Sequence, residues 1–249
     1  MKITKIHAAI AALAVALLAV PVAAQNAAAQ AGTKACAPSA TGLGPALKAM
    51  DDSAAAFRAA QTSFVWTTVQ MLPVEFSETE SGTMYIRKET GQLQMAADIK
   101  SQAGSQKYIL YTNQTVQMYE AKSNRVTSLK AGKHRDSFES FMLLGFGGRG
   151  SDLEKSFQVR YCGMEMARGV NAYRLDLVPR AVEVRRMFDR IVLWIDPRQG
   201  VSVQQKFFQP EGQGYRLAEY SNIDLKHAVA GAVFSLKGKT NGKTEWVNP

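Results

Sequence analysis

Between Phe64 and Leu236 apolar and polar residues alternate in short segments joined by links of hairpin length, and this pattern limits the possible folds more than any other feature. Phe64-Val65-Trp66-Thr67-Thr68-Val69 opens one strand and Thr83–Lys88 a second, and Leu93, Met95, Ala97 and Ile99 share one face of a third. Residues 107–111 and 115–119 flank Thr112-Asn113-Gln114, a tight hairpin with Asn where positive φ costs little. The pattern resumes at 158–164, 171–178, 190–196, 202–209, 215–222 and 232–236, with turns at 197–200 and 210–214. A flat sheet of about eleven consecutive strands would curl or split. The expected fold is therefore mainly β, a strongly curved antiparallel sheet with an apolar concave face.

Two segments break the alternation. Leu43, Leu47, Met50, Ala54 and Phe57 recur at helical spacing and predict a helix over 43–61. Residues 135–156 return to that period, with Ser151-Asp152-Leu153-Glu154 reading as a helix start. These two helices are the candidate covers of the sheet. Phe138, Phe141, Met142, Leu144 and Phe146 crowd the second one just before glycines 145, 147, 148 and 150, so each is either ordinary core or part of a movable lid over an apolar pocket.

Ahead of the domain, Lys2 and Lys5, the apolar run Ala8–Val20 and the small residues Val22-Ala23-Ala24 have the layout of a secretory signal over residues 1–24. The run is too short for the roughly 20 residues of a spanning helix. Residues 25–42, rich in Ala and Gln and without periodicity, read as a disordered leader, and 43–249 as one domain. The chain is formally +9, and loss of Lys2 and Lys5 leaves +7. The charge is dispersed and not interleaved with aromatics, which argues against nucleic acid.

The exported, soluble protein expected from these features is periplasmic. In that oxidising setting Cys36 and Cys162 are a candidate disulfide, worth roughly 4–5 kcal/mol for so long a loop in the chain-entropy model. A buried or nucleophilic Cys162 stays open as the alternative.

Marks of chemistry are few. Gly145-Phe146-Gly147-Gly148-Arg149-Gly150 satisfies G-x-G-x-x-G, but an amphipathic helix rather than a strand precedes it. His134 and His227 stand far apart and outside any metal-binding spacing, and there is no G-x-S-x-G elbow. Neither an enzyme nor a cofactor or metal is expected.

Taken in order, the helix from Leu43, Phe64–Val69, Gly82-Thr83-Met84-Tyr85-Ile86-Arg87-Lys88, the hairpin Ile109–Tyr119, Tyr173–Pro179, Ile191–Asp196 and Val233–Leu236 resemble the LolA-type family of periplasmic outer-membrane lipoprotein carriers. The resemblance implies an unclosed β-barrel with a helical lid. It also implies a monomer that carries acyl chains of lipoproteins or other envelope lipids from an inner-membrane exporter to an outer-membrane acceptor. Where the family has an Arg-Pro whose Arg latches the lid by bonding lid-loop carbonyls, this chain has Lys88-Glu89. Lys lacks the planar fork, so a weaker latch is expected.

Alternation from Met84 puts Ile86 and Lys88 on the inner face, joined by Trp66, Leu93 and Met95, with Phe138, Phe141, Met142 and Phe146 above them as the ligand-binding set. A lipid sensor that regulates a membrane protein is the alternative within the same fold. An envelope hydrolase built on Cys162, His134 or His227 is the alternative from another class.

Overall fold

In the computed structural model the residues described are 36–248, without 38, 40, 72, 73, 90, 133 and 134 and without the side chains of 136–138 and 183. The expected signal and most of the expected leader lie outside them. Twelve strands form a single sheet: β1 Ala59–Gln70, β2 Phe76–Glu89, β3 Gln92–Ser101, β4 Gln106–Thr112, β5 Thr115–Glu120, β6 Arg125–Lys130, β7 Phe157–Ala167, β8 Val170–Pro179, β9 Arg190–Ile195, β10 Ser202–Phe208, β11 Gly214–Asp224 and β12 Glu245–Val247. The order across the sheet is β12-β6-β5-β4-β3-β2-β1-β11-β10-β9-β8-β7. All neighbours run antiparallel except β12 on β6. Two meanders, β1–β6 and β7–β11, thus meet at the pairing of β1 with β11, from Gln61↔Asp224 to Gln70↔Gly214.

Register shifts at Gln61/Ser63, Ser202/Gln204 and Tyr161/Met164 mark bulges, which bend the strands that carry them. The Asn113-Gln114 turn has φ of 50° and 61°, the two positive values that a tight two-residue hairpin needs.

The helices are α1 Leu43–Ala56, α2 Arg135–Met142, α3 Gly150–Ser156 and the single turn α4 Val182–Arg185. α1 ends five residues before the expected 61, because Ala59 is already paired with Arg87 of β2 and Phe57 turns into the core. Sheet pairing here overrides the helical spacing. The segment expected as one helix over 135–156 is two, α2 and α3, separated by an unwound Leu143–Arg149. Gly145 and Gly147 in it have φ of 78° and 77°. A Cβ on Gly145 would meet the Gln205 side chain, and one on Gly147 would meet the Phe57 ring 2.6 Å away. These glycines therefore serve close docking as well as the left-handed backbone.

One face of the sheet, the inner one, carries the helices. Ala46, Leu47 and Met50 of α1 pack with Leu175, Leu177, Ile191, Leu193 and Ile195. Beside them, Phe64, Met84, Ile86, Leu93, Phe146 and Tyr220 form the other inner cluster. On the outer face, Val229, Phe234 and Leu236 cover Ala96, Leu110, Tyr119 and Val126. Arg87 stacks over Phe234 at 4.8 Å and bonds the Val229 carbonyl at 3.4 Å, fixing that cover. The expected strand at 232–236 is thus a 3₁₀ turn, Gly231–Phe234, laid across the sheet. Phe234 and Leu236 are buried as the alternation required, but against a face rather than in a ladder.

Cys36 and Cys162 are disulfide-bonded, with Cα atoms 5.7 Å apart. The Ser39 N–H donates to the Tyr161 carbonyl at 2.9 Å, so the chain entering α1 runs along the free edge of β7. No helix among the described residues is long and apolar enough to cross a membrane.

Candidate functional site

The inner face of β1–β3 presents Trp66, Met84 and Met95, and across the β1–β11 pairing β10 and β11 present Gln205, Phe207, Arg216, Ala218 and Tyr220. α2 and the unwound segment lie over them with Phe141, Met142, Leu144 and Phe146, enclosing an apolar cavity of about 170 Å³. Trp66 stacks on Phe64, ring centroids 4.2 Å apart, and Phe146 meets Tyr220 edge-on at 4.7 Å. Phe141 lies parallel to Phe188 at 5.8 Å and tilted against Phe207 at 5.8 Å, closing the cavity on one side.

Two further cavities adjoin. One of about 180 Å³ is lined by Met50, Lys88, Ser140, Leu144 and Arg149, and one of about 240 Å³ by Ser140, Phe141, Phe157, Arg180 and Val184. Leu144, Phe141 and Ser140 are shared walls, so the three cavities lie side by side against α2 and the residues after it. None of the three alone reaches the roughly 300–1,000 Å³ of ligand pockets, whereas together they do. A wider groove of about 450 Å³ at the far end of α1 is rimmed by Arg198, Asp224 and Lys226. There Asp224 is held below the usual carboxylate range, by the Lys226 N–H first and then by His227.

The lid is latched from the sheet at three points. Gln205, 3% exposed, donates from Nε2 to the Leu144 carbonyl at 2.7 Å and accepts from the Tyr220 hydroxyl at 3.1 Å. The Ser202 N–H donates to the Gly145 carbonyl at 2.7 Å. On the other meander the Tyr111 hydroxyl donates to Glu139 of α2 at 2.7 Å, and Arg135 donates to the same oxygen at 2.9 Å. Burial, then the bond to Glu139, pushes the Tyr111 phenol up to about 12. Burial pushes the Tyr220 phenol up as well.

The structure brings Trp66, Met84, Met95, Phe141, Met142 and Phe146 to the main cavity. Ile86 and Leu93 instead fill the core beneath it, 1% and 5% exposed. Lys88 is exposed and lines the adjoining cavity, while the carbonyls of the lid loop are bonded from Gln205 and Ser202. The Phe138 side chain lies outside the described set. Phe188, Gln205, Phe207, Arg216, Ala218 and Tyr220 are site residues that sequence reasoning misses. The alternation of 202–209 and 215–222 marks most of them as strand residues, but nothing local in it says that these strands complete the pocket.

The chemical candidates are placed differently. The disulfide engages Cys162, which removes its thiolate from nucleophilic roles in the oxidised protein. Exposed His227 holds Asp224 at 2.6 Å, and His134 lies outside the described residues. Gly145–Gly150 follow α2 rather than a strand, in a sheet with no parallel βαβ unit among the described residues.

No protein-family model and no curated protein matches the sequence. Solved structures do match in fold. An uncharacterized conserved protein from Thermus thermophilus superposes with a TM-score of 0.51 at 9% identity, over 82% of this chain and 97% of that one. MucB gives 0.48 at 14% identity, over 81% of this chain and 63% of its own. A LolA superfamily protein from Nitrosomonas europaea gives 0.35 at 10% identity, over 76% and 97%. The chain therefore spans under two thirds of MucB, and at these identities the likeness is one of fold. That fold is the open curved sheet with helices on its inner face that the LolA-type resemblance implied.

Proposed function

We propose that this protein is a carrier, not an enzyme. It shields the acyl chains of lipoproteins or other envelope lipids under α2 and shuttles them through the periplasm, from an inner-membrane exporter toward an outer-membrane acceptor. The observation that carries the reading is the arrangement: one short helix, held by a few hydrogen bonds, stands among three small cavities whose summed volume matches that of a ligand pocket. An acyl chain exposed to water costs about 0.8 kcal/mol per methylene, so even one chain of about sixteen carbons needs shielding worth roughly 12 kcal/mol. A surface groove does not supply that, whereas a lid that lifts and closes over an apolar floor does. Release then follows from a better acceptor, because the gradient of affinity alone moves the cargo.

The test fixes the lid to the sheet. Phe141→Cys with Phe207→Cys, whose rings now sit 5.8 Å apart, is joined by a bis-thiosulfonate reagent that links α2 to β10 through two reducible bonds and spans the gap left by the rings. Uptake of a fluorescent acyl probe should be blocked in the cross-linked double variant and restored by mild reduction, with the unmodified protein insensitive to the same treatment. Equal uptake in both states shows that α2 is fixed core. Mass spectrometry of lipid co-purified with the periplasmic protein then identifies the cargo.

A further inference from the structure

Among the described residues Arg216 is the one cation lining the main cavity. Its guanidinium lies over the Trp66 ring at 5.9 Å, and its side-chain hydrogen bond is a long one, from Nε to Thr68 Oγ1 at 3.4 Å. No carboxylate among the described residues forms a salt bridge with it. Of the acids on β2, Glu80 is taken by Lys107 at 2.8 Å. Glu78 pairs across β1 with Thr68, the same residue that Arg216 pairs with from the other side. That places the Glu78 backbone two strand spacings from that of Arg216, about 9–10 Å. The planar fork, with both Nη atoms uncommitted to any described residue, stands at the rim of an apolar chamber. The polar groups deeper in the chamber, Gln205 and the Tyr220 hydroxyl, are already committed to each other and to the Leu144 carbonyl.

We infer that Arg216 reads the headgroup of the cargo, and that the ligand is an acyl lipid whose headgroup is anionic, its phosphate or carboxylate oxygens taken bidentately by the two Nη atoms while the chains lie on Trp66, Met84 and Met95. Arginine suits this position: it is weakly hydrated, always charged and matched in geometry to both oxyanions. The Trp66 ring, within cation–π distance of the guanidinium, steadies the side chain at the rim. The inference rests on the carrier reading and specifies the headgroup class that reading leaves open.

The experiment compares two pyrene-labelled lipids with identical acyl chains, phosphatidylglycerol and diacylglycerol, binding to the mature protein with its disulfide intact. A charge-assisted bond at a solvent-accessible rim gives about tenfold tighter binding of phosphatidylglycerol. In Arg216→Gln that ratio falls to about one, and in Arg216→Lys, a point charge without the fork, it is intermediate. A ratio near one in the unmodified protein, or a ratio unchanged in Arg216→Gln, overturns the inference and leaves the carrier intact. If millimolar inorganic phosphate abolishes the preference, the site takes free anion and the inference fails. If neither lipid binds the unmodified protein, the carrier reading fails first.

Discussion

Replacing Gln205 by Leu keeps the volume and removes the latch. Gln205 is buried and makes two bonds, so the substitution strands the Leu144 carbonyl in an apolar setting and takes from the Tyr220 hydroxyl its acceptor. Each unsatisfied buried group costs roughly 1–3 kcal/mol. Lifting the lid lets water reach the Leu144 carbonyl and relieves the larger part of that cost, so the closed state should lose about 2 kcal/mol relative to the open one. That corresponds to roughly a thirtyfold larger open population. The Ser202–Gly145 and Tyr111–Glu139 bonds remain, so the lid still closes. Hydrogen exchange measures the shift. The amides of Leu143, Phe146 and Gly148, bonded to the Glu139 and Leu143 carbonyls, should exchange about thirtyfold faster, while those of β1 and β11 change little. Unchanged lid amides, or equal acceleration in lid and central strands, would show that Gln205 does not hold the lid closed.

Three other outcomes follow from the same geometry. Met95 lines the cavity and is half-buried, so Met95→Asp should lower acyl-probe affinity at least tenfold and leave a cooperative melt, whereas Ile86→Asp, at a site 1% exposed, should fail to fold; circular dichroism beside the binding assay separates the two. The Tyr111 phenol titrates at about 12 in the folded state and about 10 unfolded, so its contribution is complete below pH 10 and lost as pH rises through 12; urea melts across that window should fall less steeply in Tyr111→Phe. Cys36→Ser should lower unfolding stability by roughly 2–5 kcal/mol, and a reducing agent should then have no further effect on the urea midpoint; equal midpoints with and without the bond would speak against a stabilising tether.

What the sequence shows is what neighbouring residues decide. The hairpin at Asn113-Gln114 is legible because turn and flanking strands carry their own signals within about a dozen residues. β6 is not, since only Val126 of its side chains is fully buried and Leu129 points to solvent, which blurs the alternation. Phe234 and Leu236 flank Ser235 as in a strand yet pack on the outer face, because periodicity reports burial and not the identity of the partner. The site divides the same way. Trp66, Met84 and Met95 can be read from β1–β3, but Gln205, Arg216 and Tyr220 join them only through the register of β1 on β11. Lys88 is read as a latch by its position at the end of β2, while two of the three latching contacts come from β10, more than a hundred residues away.

That register also fixes an order of assembly. Every other antiparallel pairing in the sheet joins strands adjacent in sequence, so each meander zips up from local hairpins, while β1 and β11 must find each other across about 160 residues. Contacts of such separation carry the loop-closure cost and are the slow ones. The floor of the cavity straddles this join, half from each meander, and the lid is spliced into the connection between them. In the proposed carrier, lipid capture therefore reports on completion of the whole sheet. A chain that has folded only one meander has half a floor and no roof, so the proposed carrier cannot load before its fold is finished.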